Sequence, residues 1–549
     1  MKRFLAGVLA AGLLAMAGCA PRMQTPGTSP EPSGSGSMLQ EATQQPAQGN
    51  ETLITLADDG VQVNGQPASN QADQAVYTAK DIVYYQQGQD VTYGEGSEQD
   101  AHAPEEADRH TVVHITRPGV YRLQGKLSAG QIAVDLGEGA EQDPQAVVQL
   151  ILDGVDITCT VAPAILFYRV YECGDTSNGT QDVDTSAAGA NILLAEGSEN
   201  VVSGSYVAEI YKSCTLSEDG TSVEDSEKLH KYDGAVYSRM SMNVNGDTGV
   251  LRIFAENEGL DSELHLTVNG GSLYIESGND GINTNEDDVS VTTINGGLVQ
   301  INVLGTSGEG DGIDSNGYVV VNGGTVLSSS CAASGDAGLD ADCGIFLHGG
   351  TVLATGNMFD RIGDSRQNYV VLEFAGQQLG GSTYTLCDST GNPVQTWTPV
   401  NDFTYLVASA PELTPGDYTL FCGERPMLGR CVEQLGAPER PEGMGNPPED
   451  MPEPPEDMPE PPEDMPEPPE GIVDPNAGMP ADGVGQPLDG APGTPPDGAP
   501  GTPPDGAPGT PPEGGPGMPA GSNSGELELS PTFSIQTGGN FFTGVIGVE

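Results

Sequence analysis

Corners of nearly one composition recur through the middle of this chain: Asn269-Gly270-Gly271, Asn295-Gly296-Gly297, Asn322-Gly323-Gly324 and His348-Gly349-Gly350, in steps of 26, 27 and 26 residues. Between them stand turns of one type: Glu258-Gly259-Leu260-Asp261, Asp280-Gly281-Ile282-Asn283, Asp311-Gly312-Ile313-Asp314 and Ala337-Gly338-Leu339-Asp340. Alternating apolar runs follow the corners, as in Ser272-Leu273-Tyr274-Ile275 and Thr325-Val326-Leu327. A period of roughly 20–50 residues belongs to solenoids and arrays. Short β-rich runs cut by Gly and Asn, without helical periodicity, select the β form. The pattern predicts an all-β chain built on a parallel β-helix, one coil per repeat.

The rest of the chain divides by composition. Lys2-Arg3 and the apolar Phe4–Ala17 stretch read as a secretory signal too short to span a bilayer. It ends in Leu14-Ala15-Met16-Ala17-Gly18-Cys19, like a bacterial lipobox with Cys19 as the lipidated residue. Residues 1–19 are thus a lipoprotein signal peptide, and 20–50, rich in Pro, Ser, Gln and Gly, a flexible tether. Residues 51–110 carry weak strand signals and 111–365 the β-helix. Residues 366–435 hold a small sandwich-like β unit that could cap the stack. From 436 to 525, Pro-Pro-Glu-Asp-Met-Pro-Glu and Asp-Gly-Ala-Pro-Gly-Thr-Pro-Pro recur. Such sequence cannot build a core and is expected to be disordered. Alternation in 526–549 predicts strands returning to the 366–435 unit, with Leu529, Phe533 and Ile535 packed on it. The expected location is the extracellular face of a bacterial membrane, held there by lipid, or the medium after secretion.

Charge narrows the partners. Against Lys+Arg 19 stand Asp+Glu 79, a net charge of -60, which argues against nucleic acid or an anionic membrane surface. Eight cysteines follow Cys19 without any CxxC pair, so a zinc site has little support. Local disulfides, Cys331 with Cys343 and Cys422 with Cys431, are the expected pairings, with free buried thiols as the alternative.

The chemistry is expected along the acidic face of the stack. Adjacent coils lie about 4.8 Å apart, and two carboxylates at that distance repel by about 3.5 kcal/mol at an effective dielectric near 20. No Lys or Arg occurs from Ile253 to Phe359. Asp280, Asn283, Asn285, Glu309, Asp311, Asp314, Asn316, Asp336, Asp340 and Asp342 offer oxygen only, a donor set for a hard cation, and calcium is the expected cofactor. The same residues also favour turns through their side-chain hydrogen bonds, with or without a metal.

Residues from Thr111 to Leu327 resemble a bacterial carbohydrate-binding family of calcium-containing right-handed β-helix proteins that bind cellulose and polygalacturonate. The phrases that carry the likeness are Gly119-Val120-Tyr121-Arg122-Leu123, Gly130-Gln131-Ile132-Ala133-Val134-Asp135, Leu152-Asp153-Gly154-Val155-Asp156-Ile157 and Leu194-Ala195-Glu196-Gly197-Ser198-Glu199-Asn200. The resemblance implies a right-handed helix and non-catalytic, calcium-dependent binding of a plant cell-wall polysaccharide, pectic or cellulosic. The chain departs from the family in its insertions near 172–188 and 213–231 and in Asp233-Gly234-Ala235. Two other classes compete. A calcium-dependent polysaccharide lyase needs a basic residue as general base, and the last lysine is Lys231, with Arg239 and Arg252 the remaining cations on the coils. A lipid-anchored adhesin or spacer with a non-sugar partner is compatible with the same fold.

Overall fold

The computed structural model describes residues 51–174, 176–217, 220–432 and 529–548. Cys19, the segments 1–50 and 436–525, and the first residues of the 526–549 tail lie outside them. The described residues are nearly all β, with one four-residue α-helix, Pro104–Ala107, and a short 3-10 turn.

Three parallel ladders stack coil upon coil. One runs from Ala190–Leu194 through Met242–Gly246, Leu266–Val268, Val291–Ile294 and Tyr318–Val321 to Gly344–Leu347. A second runs from Glu199–Gly204 through Val250–Ala255, Ser272–Ser277, Leu298–Val303 and Thr325–Ser329 to Thr351–Gly356. The third joins Thr111–Ile115, Gly130–Asp135, Ile165–Arg169, Gly234–Ser238, Glu258–Ser262 and Ile282–Thr284. The stacking reaches back before Thr111, because Glu51–Leu56 pairs in parallel with Gly119–Leu127. Side chains alternate across each strand, so the register sends one column inward. Val244, Val268, Ile294, Val321 and Leu347 lie in line and are fully buried. Burying each such side chain stabilises the stack by about 1.5–3 kcal/mol.

The corners hold the register from outside. The Asn269 amide donates to Asn245 Oδ1 at 3.0 Å, Asn295 to Asn269 at 2.9 Å and Asn322 to Asn295 at 2.9 Å. This asparagine ladder starts one coil earlier than the Asn-Gly-Gly phrase. Its first rung, Asn245-Gly246-Asp247, lacks the second glycine. The two glycines of a corner have different reasons. A Cβ on Gly270 would stand 2.3 Å from the Gly246 carbonyl oxygen, whereas Gly271 has a φ of +86°, a conformation costly for any residue with a Cβ.

Beyond the last coil the polarity changes. Thr351–Gly356 pairs antiparallel with Phe403–Ser409, which pairs antiparallel with Tyr369–Gln378. Gly539–Gly547 joins Tyr369–Gln378 in parallel and Arg425–Val432 antiparallel, and Phe533–Ile535 pairs with Gly416–Cys422. A separate core forms here around Leu372, Tyr384, Trp397, Leu420, Phe533 and Phe542. Phe533 and Ile535 are buried in it, but Leu529 is 43% exposed, its side chain lying beside Gly544 at the surface. All eight described cysteines are free, so the expected local disulfides are absent; Cys331 is buried and Cys343 lies beside Asp288 instead.

Candidate functional site: a double column of acids

The acidic turns stack rung on rung. Backbone N–H groups of Gly259, Gly281 and Gly312 donate to the carbonyls of Asp280, Asp311 and Ala337 at 3.0–3.1 Å, and those of Leu260, Ile282 and Ile313 to the next glycine at 3.1–3.2 Å. Glycine is required because the coils touch there. A Cβ on Gly312 would stand 1.8 Å from Ser328 Oγ and 2.5 Å from the Gly338 oxygen.

This register produces two acid columns three residues apart. One holds Glu258, Asp280 and Asp311; the other holds Asp261, Asn283, Asp314 and Asp340. At the far end, carboxylate oxygens of Asp311, Asp314 and Asp340 lie within 4.8 Å of one another. Asp280 Oδ1 accepts the Asp311 N–H at 2.6 Å, and Asp311 Oδ1 accepts the Ala337 N–H at 2.5 Å. Asp336 stands alongside, its carboxylate accepting from the Gly310 N–H at 2.6 Å and from the Ser334 hydroxyl.

Burial and mutual repulsion hold the carboxyls of Asp280, Asp311 and Asp340 well above the ordinary range. For Asp311, burial first and then Asp340 raise it to about 9; for Asp340, burial and then Asp360 raise it to about 7. Asp280 is raised by burial and then by Asp314 and Asp311. A group of acids that resists ionisation is a poor structural element alone and a good receptor for a positive charge.

The other expected ligands divide. Asn283 is buried and donates to Glu258 Oε1 at 3.0 Å, while its own Oδ1 has no hydrogen-bond partner. Asn285 donates to Asp261 Oδ1 at 2.7 Å. Asn316 turns its amide to the Asn285 carbonyl and to Asp287. Glu309 and Asp342 are exposed on the loops.

Sequence reasoning missed three participants. Glu258 and Asp261 were legible only as turn residues, yet they are buried and each leaves one carboxylate oxygen, Oε2 and Oδ2, without a partner. Their spacing, acids flanking Gly-Leu just as in the later coils, was the available signal. Lys231 is the third. The antiparallel hairpin Val207–Leu216 with Val223–Tyr232 brings it to the near end of the columns, with Nζ 3.6 Å from Asp233 Oδ2. Burial alone would lower its ammonium, but Asp233, Glu263, Asp261 and Glu258 together raise it. Arg239 pairs with Glu141 at 3.2 Å and Arg252 lies over the Tyr274 ring at 4.5 Å.

The turn Asp233-Gly234-Ala235 sits out of step with the later ones. Gly234 pairs with Glu258 and Val236 with Leu260, which puts Tyr237, not an acid, opposite Asp261. The columns therefore begin at Glu258 and Asp261.

Residues 109–368 match the model of a family described as "Carbohydrate-binding domain-containing protein". A curated protein of that description from Acetivibrio thermocellus is 30% identical over 166 residues, 30% of this chain and 45% of the relative, so the chain spans less than half the length of that relative. A solved structure, the polysaccharide lyase-like protein from C. thermocellum as a gadolinium derivative, is similar at 22% identity and a TM-score of 0.31, covering 58% of this chain and 94% of that chain. The family match supports a bacterial carbohydrate-binding domain over residues 109–368.

Proposed function

We propose that this protein is a non-catalytic, lipid-anchored carbohydrate-binding protein whose right-handed parallel β-helix takes up plant cell-wall polysaccharide with the help of calcium. The observation that carries the reading is the convergence of Asp311, Asp314 and Asp340 carboxylates within 4.8 Å, beside buried oxygens of Glu258, Asp261 and Asn283 that lack partners. The donor set fits a hard cation, being all oxygen. Asp311, Asp314 and Asp340 would hold one ion, and Glu258, Asp261 and Asn283 are suited to another. Calcium held by these residues would offset part of the columns' charge and would supply a counter-charge for a sugar carboxylate, which would let an acidic protein hold an acidic polymer such as polygalacturonate. Cys19 would carry the lipid that keeps the protein at the cell surface.

Lyase chemistry is the weaker reading. A general base must give up its proton near neutral pH. Lys231, the lysine at the columns, is instead held protonated by four acids. Sedimentation with insoluble cellulose and gel retardation in polygalacturonate, each with calcium and with chelator, test the proposal. Ultraviolet absorbance of unsaturated product would expose a lyase. Retention of neither polymer under any condition would refute the binding role.

A further inference from the structure

The acid columns occupy one side of the coils. A second concave surface lies on the outer face of the ladder formed by Val250–Ala255, Ser272–Ser277 and Leu298–Val303. There the outward side chains form two rows along the stack: Arg252, Tyr274 and Gln300, then Phe254, Glu276 and Asn302. The rows bound a groove of about 210 Å³, closed on one side by Val400. The loop bearing Val400 is fastened to the coils, because Asn401 donates from Nδ2 to the Val303 carbonyl at 2.7 Å and to the Ser330 carbonyl at 2.8 Å. A wall from the C-terminal unit is thus built onto the ladder.

We propose that this groove binds a short stretch of an uncharged sugar chain, independently of the acid columns; the proposal rests on the carbohydrate-binding reading and locates a second contact for it. Phe254 is 42% exposed and Val400 50% exposed, which places apolar surface on both sides of the groove. Tyr274 lies diagonally from Phe254, one coil on, and aromatic faces attract the partly positive C–H edges of a sugar ring. Gln300 and Glu276 supply hydroxyl partners, and Asn302 lines the end of the second row. Few polar groups on an apolar floor is the usual make-up of a small-ligand site.

Charge selects a neutral occupant. The guanidinium of Arg252 already lies 4.5 Å from the Tyr274 ring centre and 4.0 Å from Glu199, and Glu276 stands diagonally from it in the next rung. With no net positive charge in the groove and -60 on the chain, an acidic polymer finds no attraction here without a metal. The coil spacing of about 4.8 Å is close to the length of one sugar unit, so successive rings can meet successive rungs.

Calorimetric titration of the full-length protein with cellohexaose, xylohexaose, mannohexaose and trigalacturonate tests this, each in calcium and in chelator. At least one neutral oligosaccharide is expected to bind equally in both media, and Tyr274→Ala should weaken it about tenfold, equal to about 1.4 kcal/mol. Gln300→Ala, on the exposed row, serves if Tyr274→Ala melts early. Failure of all neutral sugars, or unchanged affinity in both Tyr274→Ala and Gln300→Ala, overturns the groove. Retention of polygalacturonate in calcium judges the column reading separately.

Discussion

Replacing Asp311 by Asn should stabilise the protein in chelator and destabilise it in calcium. Without a cation, burial and then Asp340 raise the Asp311 carboxyl from 3.8 to about 9. At pH 7 it is protonated when folded and ionised when unfolded. A carboxyl with a raised folded pKa contributes most at low pH and loses stability as pH climbs from 3.8 toward 9. Between 3.8 and 7 that loss amounts to about 4 kcal/mol at 1.36 kcal/mol per unit, as an upper figure. Asn removes the titration while keeping an oxygen for the Ala337 N–H, now 2.5 Å away. At about 2–4 °C per kcal/mol, the chelated variant should melt up to roughly 8–16 °C above the wild type. In calcium the order should invert, because the variant loses an anionic ligand and with it part of the stabilisation that binding gives. Thermal melts at pH 5, 7 and 9 in both media provide the comparison. The wild type in chelator should lose stability over that series, and Asp311→Asn less steeply. A variant that melts lower by the same amount in both media, with an unchanged pH slope, refutes the electrostatic account.

Gly312→Ala should be more damaging than most surface changes, by about 1–3 kcal/mol, since its Cβ would meet Ser328 Oγ at 1.8 Å; chemical denaturation measures it. Asn295→Ala removes both of that residue's ladder bonds and should cost about 0.5–1.5 kcal/mol for each, read as a lower denaturation midpoint. Phe533→Ala should cost about 3–5 kcal/mol within the C-terminal core. Trp397, the single tryptophan, is buried in that core, so its fluorescence should shift at lower denaturant while the circular dichroism of the stacked parallel ladders persists.

Much of the coil architecture is legible in the sequence because it is repetitive. An Asn-Gly-Gly corner states its own backbone conformation, and equal spacing forces equal corners into register, as the Asn269, Asn295 and Asn322 amides demonstrate. Asp311, Asp314 and Asp340 were legible for the same reason. Lys231 was not. A stretch free of Lys and Arg in sequence says nothing about a cation delivered from an earlier insertion, and the hairpin that delivers it has no counterpart in the repeat. The role of Asn316 was equally hidden, since only the folded loop shows its amide turned to Asp287. The groove at Tyr274 needed the loop carrying Val400, about 125 residues further along the chain, a distance across which no local pattern carries information.

The reversal of strand direction beyond Thr351–Gly356 has a consequence for assembly. Identical parallel rungs invite endless growth, since each exposed end is a template for another copy. Here Phe403–Ser409 lies against the last rung running the opposite way, and at the other end Gln62–Val63 folds back antiparallel on Glu51–Leu56. Both of these edges are therefore paired within the chain, and neither is left open as a template for a second copy.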